Sequence, residues 1–167
     1  SAISFWHEDA QLGSTPGSEL PGDTDLDVAI VGAGYTGLWT AYYLAKADPT
    51  LRIGIVEQEF VGFGASGRNG GWCSAIFPAS FRKIASKSNH SDAVQMQRAM
   101  FSTVREIGAV VASEAIDCDF EQGGYVSTAR NAAQWARAER EVQSWRDWGF
   151  AADDMQLLTR EEAGRRV

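Results

Sequence analysis

The feature that most limits the fold of this chain is a glycine-rich turn between two short apolar segments. Val28–Val31 is the first of these segments, and a short apolar run of this kind is typical of a buried parallel strand. The turn, Gly32–Gly37, follows at once, and Leu38–Lys46 favours a helix. A second strand is predicted at Arg52–Val56, directly before Glu57. This order predicts a βαβ unit, and therefore an α/β fold with parallel strands.

The glycines of the turn have the spacing G-x-G-x-x-G, with Tyr35 and Thr36 between the second and third. Gly32 permits a tight turn, Gly34 lets the backbone approach a pyrophosphate, and Gly37 lets the helix pack closely on the strand. The N–H groups and the positive dipole end of the helix N-terminus favour phosphate at the same place.

Glu57 completes the pattern, because an acid at the end of the second strand can accept hydrogen bonds from the ribose hydroxyls of an adenosine. The bare glycine pattern is most often an ordinary turn. Here the strand, the helix, the second strand and the acid all stand where the pattern requires them. The sequence therefore predicts a dinucleotide site.

Charge and composition exclude several other classes of protein. The net charge is −7, and no Lys or Arg precedes Lys46. Nucleic acids and anionic membranes need a basic face, so neither is an expected partner. The long uncharged stretch from Val28 onward is interrupted by turn glycines, which argues against a membrane span.

The few cysteines and histidines indicate neither a disulfide nor a metal site. Cys73 and Cys118 lack C-x-x-C spacing and are compatible with reduced thiols. No signal peptide is visible, so a cytoplasmic location is predicted. His7 and His90 are isolated, and no metal site is predicted.

The chain divides into three predicted segments. Residues 1–24 form an arm with turn signals, and Ser4, Phe5 and Trp6 are expected to pin it to the body through aromatic burial. Residues 25–90 form the nucleotide-binding segment. Residues 91–167 form a helical segment and the beginning of a substrate domain.

Further elements are predicted in the last segment and just before it. These are a short helix over residues 78–87, a long helix from an N-cap at Ser91 to about Ile116, a strand at Tyr125–Thr128, a helix from the Asn131 cap to Gly149, and a strand at Met155–Leu158. Thr159 and Glu162 form a capping box that begins a last helix close to Val167. That helix, and a sheet that needs more strands, indicate the N-terminal part of a larger protein.

A second glycine loop, residues 62–71, follows the βαβ unit. It provides close backbone approach, several N–H donors and one cation, which suit an extended ligand with a pyrophosphate and a ribityl chain. A flexible surface loop is the alternative interpretation.

With this loop, Asp27–Glu57 resembles the N-terminal part of the FAD-dependent amine and amino-acid oxidoreductases. This is the D-amino-acid oxidase superfamily, which includes glycine, sarcosine and γ-glutamylputrescine oxidases. The sequence Ala65–Gly71 and the aromatic leader most resemble the γ-glutamylputrescine oxidase-like branch.

The resemblance implies FAD as cofactor and a Rossmann-like FAD-binding fold. It implies that Gly32, Gly34 and Gly37 hold the pyrophosphate, with Tyr35 and Thr36 in the same turn, and that Glu57 binds the ribose with Gln58 near the adenine. It further implies that the flavin end is lined from the second glycine loop by Gly64, Ser66, Gly67, Arg68, Asn69 and Gly70.

The implied reaction is oxidation of a C–N bond in an amine or amino acid, with the remainder of the polypeptide supplying the substrate pocket. No residue of 1–167 is identified as a catalytic acid or base, and the chain alone is expected to be inactive. Two alternatives stay open, an NAD-dependent dehydrogenase and a non-catalytic dinucleotide-binding module.

Overall fold

The computed structural model describes residues 4–9 and 16–166. Within them the chain forms two strands, β1 (Val28–Val31) and β2 (Ile53–Val56). The helices are α1 (Phe5–Asp9), α2 (Tyr35–Ala47), α3 (Phe81–Ala85), α4 (His90–Ser113), α5 (Ala132–Asp147) and α6 (Arg160–Gly164), with one 3₁₀ turn at Ala65–Gly67. The chain divides into two compact units, one up to Trp72 and one from Cys73 onward.

The predicted βαβ unit is present in the first unit. β1 and β2 pair in parallel, with Val28 opposite Ile53 and Val31 opposite Val56. α2 connects the strands and packs against both. Its first residue is Tyr35, three residues before the predicted start, because the helix begins directly after Gly34.

An ion pair fixes the beginning of the strand pair. Arg52 Nε lies 3.1 Å from a carboxylate oxygen of Asp27, and the backbone N–H of Arg52 donates to the same oxygen at 2.8 Å. These contacts with Arg52 hold the pKa of Asp27 below its usual range. Arg52 itself stands just outside β2, although the sequence places it inside the strand.

The sequence predicts an arm of turns, but residues Phe5–Asp9 of the arm form a short helix. The arm is attached to the body, but the predicted burial of its aromatic rings is wrong. The attachment occurs through hydrogen bonds of Ser4 and Trp6 to the second glycine loop, whereas Phe5 and Trp6 remain 66% and 40% exposed. Residues 1–3 and 10–15 of the predicted arm lie outside the described part of the chain.

The second unit has an aromatic core. Phe81 of α3 stacks on Phe150 with ring centroids 5.2 Å apart, and Trp145 of α5 lies 4.9 Å from the same Phe150 ring. The ring of Phe101 in α4 lies beside the rings of both Trp145 and Phe150. The three helices are therefore joined around Phe150, which is 3% exposed.

Two boundaries of α4 differ from the sequence prediction. The N-cap is Asn89, whose side chain accepts from the Asp92 N–H at 2.9 Å, and Ser91 lies within the first turn. Asn and Ser are equally good caps, and the extended backbone occurs at Asn89. The helix ends before Ile116, because Ala115 has a left-handed backbone with φ 51°.

The prediction of strands at Tyr125–Thr128 and Met155–Leu158 is wrong. Both segments are irregular, and between Cys73 and Arg166 no strand exists with which they could pair. In the second segment the Met155 carbonyl accepts a hydrogen bond from Arg146 instead. The predicted caps at Asn131 and Thr159 are confirmed.

No helix within the described residues is long and apolar enough to cross a membrane. Cys73 and Cys118 are free and exposed. Over the same residues, no cluster of His, Cys, Asp and Glu has the composition to hold a metal ion.

Candidate functional site

The first glycine turn continues the sheet and then turns sharply into α2. The Gly32 N–H donates to the Val56 carbonyl at 2.7 Å, which extends the ladder beyond β1. Gly32 has φ +99°, a conformation that side chains rarely adopt. A Cβ on Gly37 would lie 2.1 Å from the Gly32 carbonyl oxygen, so only glycine fits there. The tight turn expected at Gly32 and the close packing expected at Gly37 are therefore present.

The N-terminus of α2 opens into a cleft of about 440 Å³. The first turn of the helix carries no acidic residue, and its N-cap is Gly34. The predicted site residues that line the cleft are Gly32, Gly34, Tyr35, Thr36, Gly37 and Ser66. The structure therefore brings most of the first glycine turn together with one residue of the second glycine loop.

Ser66 is one of the residues that join the two loops. Its Oγ accepts from the Tyr35 N–H at 2.9 Å, and a Cβ on Gly34 would lie 3.1 Å from this hydroxyl. A hydroxyl therefore occupies a position in front of the helix N-terminus where an acceptor oxygen is favoured. The hydroxyl also retains a proton that can be donated to a ligand.

Glu57 lies at the end of β2 and braces the turn. Its Oε2 accepts from the Ala33 N–H at 2.8 Å, and its Oε1 accepts from the Glu59 N–H at 3.2 Å. The bond from Ala33, followed by the bond from Glu59, holds the pKa of Glu57 below its usual range. Glu57 is thus a carboxylate fixed beside the cleft, although it does not line it.

The second glycine loop repeats the geometry of the first turn. Its sequence from Gly62 to Gly67 has the same G-x-G-x-x-G spacing. Gly62 has φ +78°, and a Cβ on Gly67 would lie 2.3 Å from the Gly62 carbonyl oxygen. The Gly62 N–H also donates to the Ala33 carbonyl at 3.0 Å, which ties the loop to the first turn. The repeated spacing is visible in the sequence but was not part of the prediction.

The remaining predicted residues do not line the cleft. Arg68 donates from Nε to the Phe63 carbonyl at 2.7 Å, and its guanidinium lies 4.5 Å from the centre of the Phe63 ring. Asn69 donates from Nδ2 to the Ser66 carbonyl at 2.7 Å and accepts from the Gly71 N–H, also at 2.7 Å. Both side chains therefore shape the loop. Gly64, Gly67, Gly70 and the exposed Gln58 likewise stand outside the cleft lining.

A βαβ unit with this glycine turn, a helix N-terminus open to a cleft and an acid after the second strand defines a dinucleotide-binding α/β protein. The chain belongs to the FAD dependent oxidoreductase (DAO) family, whose model matches residues 27–167. The resemblance found in the sequence is thereby confirmed, and FAD is the cofactor of the family.

Three relatives illustrate the match. Gamma-glutamylputrescine oxidoreductase of Escherichia coli K12 is 34% identical over 123 residues, covering 74% of this chain and 28% of the relative. A probable oxidoreductase, OrdL, of Haemophilus influenzae is 30% identical over 78% of this chain and 30% of its own length. Sarcosine oxidase subunit beta of Rhodobacter capsulatus is 49% identical over 43 residues, which is 26% of this chain and 10% of the relative.

The chain thus spans less than a third of the length of the first two of these relatives. No significant match to a solved structure was found. The matches give no support to the NAD-dependent or non-catalytic alternatives.

Proposed function

We propose that this chain forms the FAD-binding part of an oxidoreductase that oxidises the C–N bond of an amine or amino acid. Membership in an FAD-dependent family supports the cofactor. The names of two relatives support the substrate class, because γ-glutamylputrescine and sarcosine are both amines. The observation that carries the proposal is the cleft at the N-terminus of α2, bounded by glycines on one side and Ser66 on the other.

The cleft is proposed to hold the pyrophosphate of FAD. Gly34 brings backbone within reach of a ligand, and its φ of −85° is accessible to any residue. A glycine there is therefore explained by space and not by backbone strain. The helix N-terminus offers N–H groups and no competing carboxylate, which suits two phosphates. Ser66, held by the Tyr35 N–H, is proposed to donate its hydroxyl proton to the phosphate, and Thr36 to contribute its backbone N–H group.

Glu57 is proposed to accept hydrogen bonds from the adenosine ribose, with Gln58 beside the adenine. The carboxylate is already oriented by Ala33 and Glu59. A glutamate is already ionised near neutral pH, and the lowered pKa of Glu57 extends its charged state to more acidic pH, so it can act as a charged acceptor.

The second glycine loop is proposed to face the flavin end. Gly64, Gly67 and Gly70 allow close backbone approach, while Arg68 and Asn69 stabilise the loop through Phe63, Ser66 and Gly71. Bound FAD would supply the oxidising chemistry, as acceptor at N5 of a hydride from the substrate α-carbon, and water would hydrolyse the resulting imine. Residues 1–167 are proposed to bind and orient the cofactor, and the catalytic groups are assigned to the rest of the protein.

The domain organisation and partners belong to the same proposal. Residues 1–24 serve as the arm, 25–90 as the FAD-binding segment and 91–167 as the beginning of a substrate domain. The proposed partners are a small amine and the remainder of the polypeptide, and the proposed location is the cytoplasm.

The variant Gly34→Val in the full-length protein tests this assignment. The valine side chain would enter the cleft against Ser66, so we expect the variant to fold and to lose FAD. The measurement is flavin content from the visible absorption spectrum, together with a thermal melt of the apoprotein.

Gly123→Val is the matched control, because a Cβ there meets nothing within 4 Å and Gly123 lies in the second unit. It should retain the flavin content of the parent. Parental flavin content in Gly34→Val would show that the pyrophosphate lies elsewhere.

A further inference from the structure

The N-terminal arm holds two backbone carbonyls of the second glycine loop. Ser4 Oγ donates to the Gly67 carbonyl at 2.6 Å, and Trp6 Nε1 donates to the Asn69 carbonyl at 2.6 Å. Each pair is separated by 63 residues in the sequence. Two short hydrogen bonds from one helical turn to alternate carbonyls fix the position of the loop relative to the arm.

The indole of Trp6 is also seated against the loop by shape. A Cβ on Gly71 would lie 2.5 Å from Trp6 Cζ2, and Gly71 has φ +70°. Only glycine leaves room for the ring at this point. Next to it, the His7 ring packs edge to face on Phe60 with centroids 4.7 Å apart. The described part of the arm therefore contacts the loop through Ser4 and Trp6, and His7 packs on Phe60 just before the loop.

The contact with Trp6 determines where the next N–H group points. In a trans peptide the carbonyl of one residue and the N–H of the following residue point in opposite directions. Because Trp6 holds the Asn69 carbonyl, the Gly70 N–H points away from the arm. Among the described residues no group accepts from this N–H, and a Cβ on Gly70 would meet nothing within 4 Å.

We propose that Ser4 and Trp6 are positioning residues for the cofactor, because they orient the 67–70 backbone so that the Gly70 N–H is presented to an acceptor atom of bound FAD. This inference rests on the proposed function, which places the second glycine loop at the flavin end. It adds that the loop has its binding conformation only while the arm is docked.

The test compares Trp6→Phe and Ser4→Ala with the parent in the full-length protein. Trp6→Phe removes the Nε1 donor and keeps an aromatic ring. We expect each variant to raise the FAD dissociation constant about three- to tenfold, the usual effect of losing one neutral hydrogen bond. We also expect a shifted visible absorption band in the flavin that remains bound, because its hydrogen-bonding environment changes.

Trp135→Phe is the matched control. Trp135 also donates through Nε1, to Glu139 at 2.9 Å, but it lies in the second unit. This control should keep the affinity and spectrum of the parent. Should Trp6→Phe fail to fold, Ser4→Ala carries the test alone.

Unchanged affinity and spectrum in the arm variants would overturn the inference, even if their apoproteins melt at lower temperature. Gly34→Val separates this result from failure of the proposed function. If Gly34→Val loses FAD and the arm variants do not, only the positioning role is wrong. If Gly34→Val binds FAD like the parent, the proposed site and the positioning role are both wrong.

Discussion

At the scale of single residues, the carboxylate of Glu57 joins the glycine turn to the second strand. A carboxylate offers about four lone-pair positions. The N–H groups of Ala33 and Glu59 use one on each oxygen. The positions that remain are available to ribose hydroxyls, so bracing the turn and binding a ligand are compatible in one side chain.

Glu57→Ala is expected to weaken FAD binding by roughly one order of magnitude, because it removes charged acceptors from the ribose and the Ala33 partner from the turn. The measurement is the FAD dissociation constant of the full-length apoprotein. Glu59→Ala removes the same charge two residues away and should bind like the parent. Equal dissociation constants for Glu57→Ala and the parent would exclude the ribose role.

The pH dependence of the melting temperature gives a second readout for Glu57. The folded-state pKa is lowered from its ordinary value of 4.5 by the Ala33 and Glu59 N–H groups. The stabilisation from Glu57 is therefore complete above pH 4.5 and is lost as the pH falls through the lowered folded pKa. The difference in melting temperature between parent and Glu57→Ala should narrow in the same range.

At the scale of elements, Arg146 organises the chain after α5. Its guanidinium donates to the carbonyls of Phe150, Ala151 and Met155. All three residues follow Gly149, where the chain turns away from α5 with a backbone φ of +87°. The guanidinium therefore stabilises an irregular segment that does not pair with a strand.

Arg146→Met should destabilise the second unit by about 1–3 kcal/mol, because three carbonyls lose a charged donor. The measurement is chemical denaturation of the full-length protein followed by tryptophan fluorescence, since Trp145 and Trp148 lie beside this segment. Arg140→Met, an exposed change on the same helix, should leave stability unchanged. Equal stability of Arg146→Met and the parent would show that the Arg146 guanidinium does not stabilise this segment.

Elements whose causes lie close together in the sequence were predictable. The Gly32–Gly37 turn, the Asn131 cap and the Thr159 capping box each depend on residues within a few positions. The strand wrongly predicted at Met155–Leu158 depends on a residue outside the segment, because the Met155 carbonyl accepts a hydrogen bond from Arg146. The Ser66 contact with Tyr35 and the Trp6 contact with Asn69 join distant segments, so no local pattern reveals them.

At the scale of the whole molecule, residues 4–9 and 16–166 contain a sheet of two strands, each of which pairs only with the other. Val31 is 89% exposed and Ile55 is 38% exposed, although both are apolar strand residues. The described residues contain no large side chain that is fully buried. A parallel sheet normally has both faces covered.

We therefore expect residues 1–167 alone to bind FAD more weakly than the full-length protein and to show no amine oxidation. The net free energy of unfolding of a domain is only about 5–15 kcal/mol. Uncovered strands and unpaired backbone groups therefore reduce it by a large fraction. The measurement is an FAD titration of purified 1–167 by flavin fluorescence, paired with a thermal melt. Stoichiometric binding and a sharp cooperative melt would show that this part is self-sufficient.

The docking of the arm has a consequence for the order of folding. The turns at Gly32 and Gly62 close over a few residues, whereas Ser4 and Gly67 meet across 63 residues. Contacts between distant segments require the intervening chain to be ordered first, so they tend to form late. During synthesis the arm leaves the ribosome before the loop does, and its docking site is complete only after Gly71 has emerged. In folding kinetics, a φ-value is the ratio of a mutation's effect on the folding barrier to its effect on stability. We expect this ratio to be near zero for Trp6, so that loss of Trp6 accelerates unfolding and leaves the folding rate unchanged.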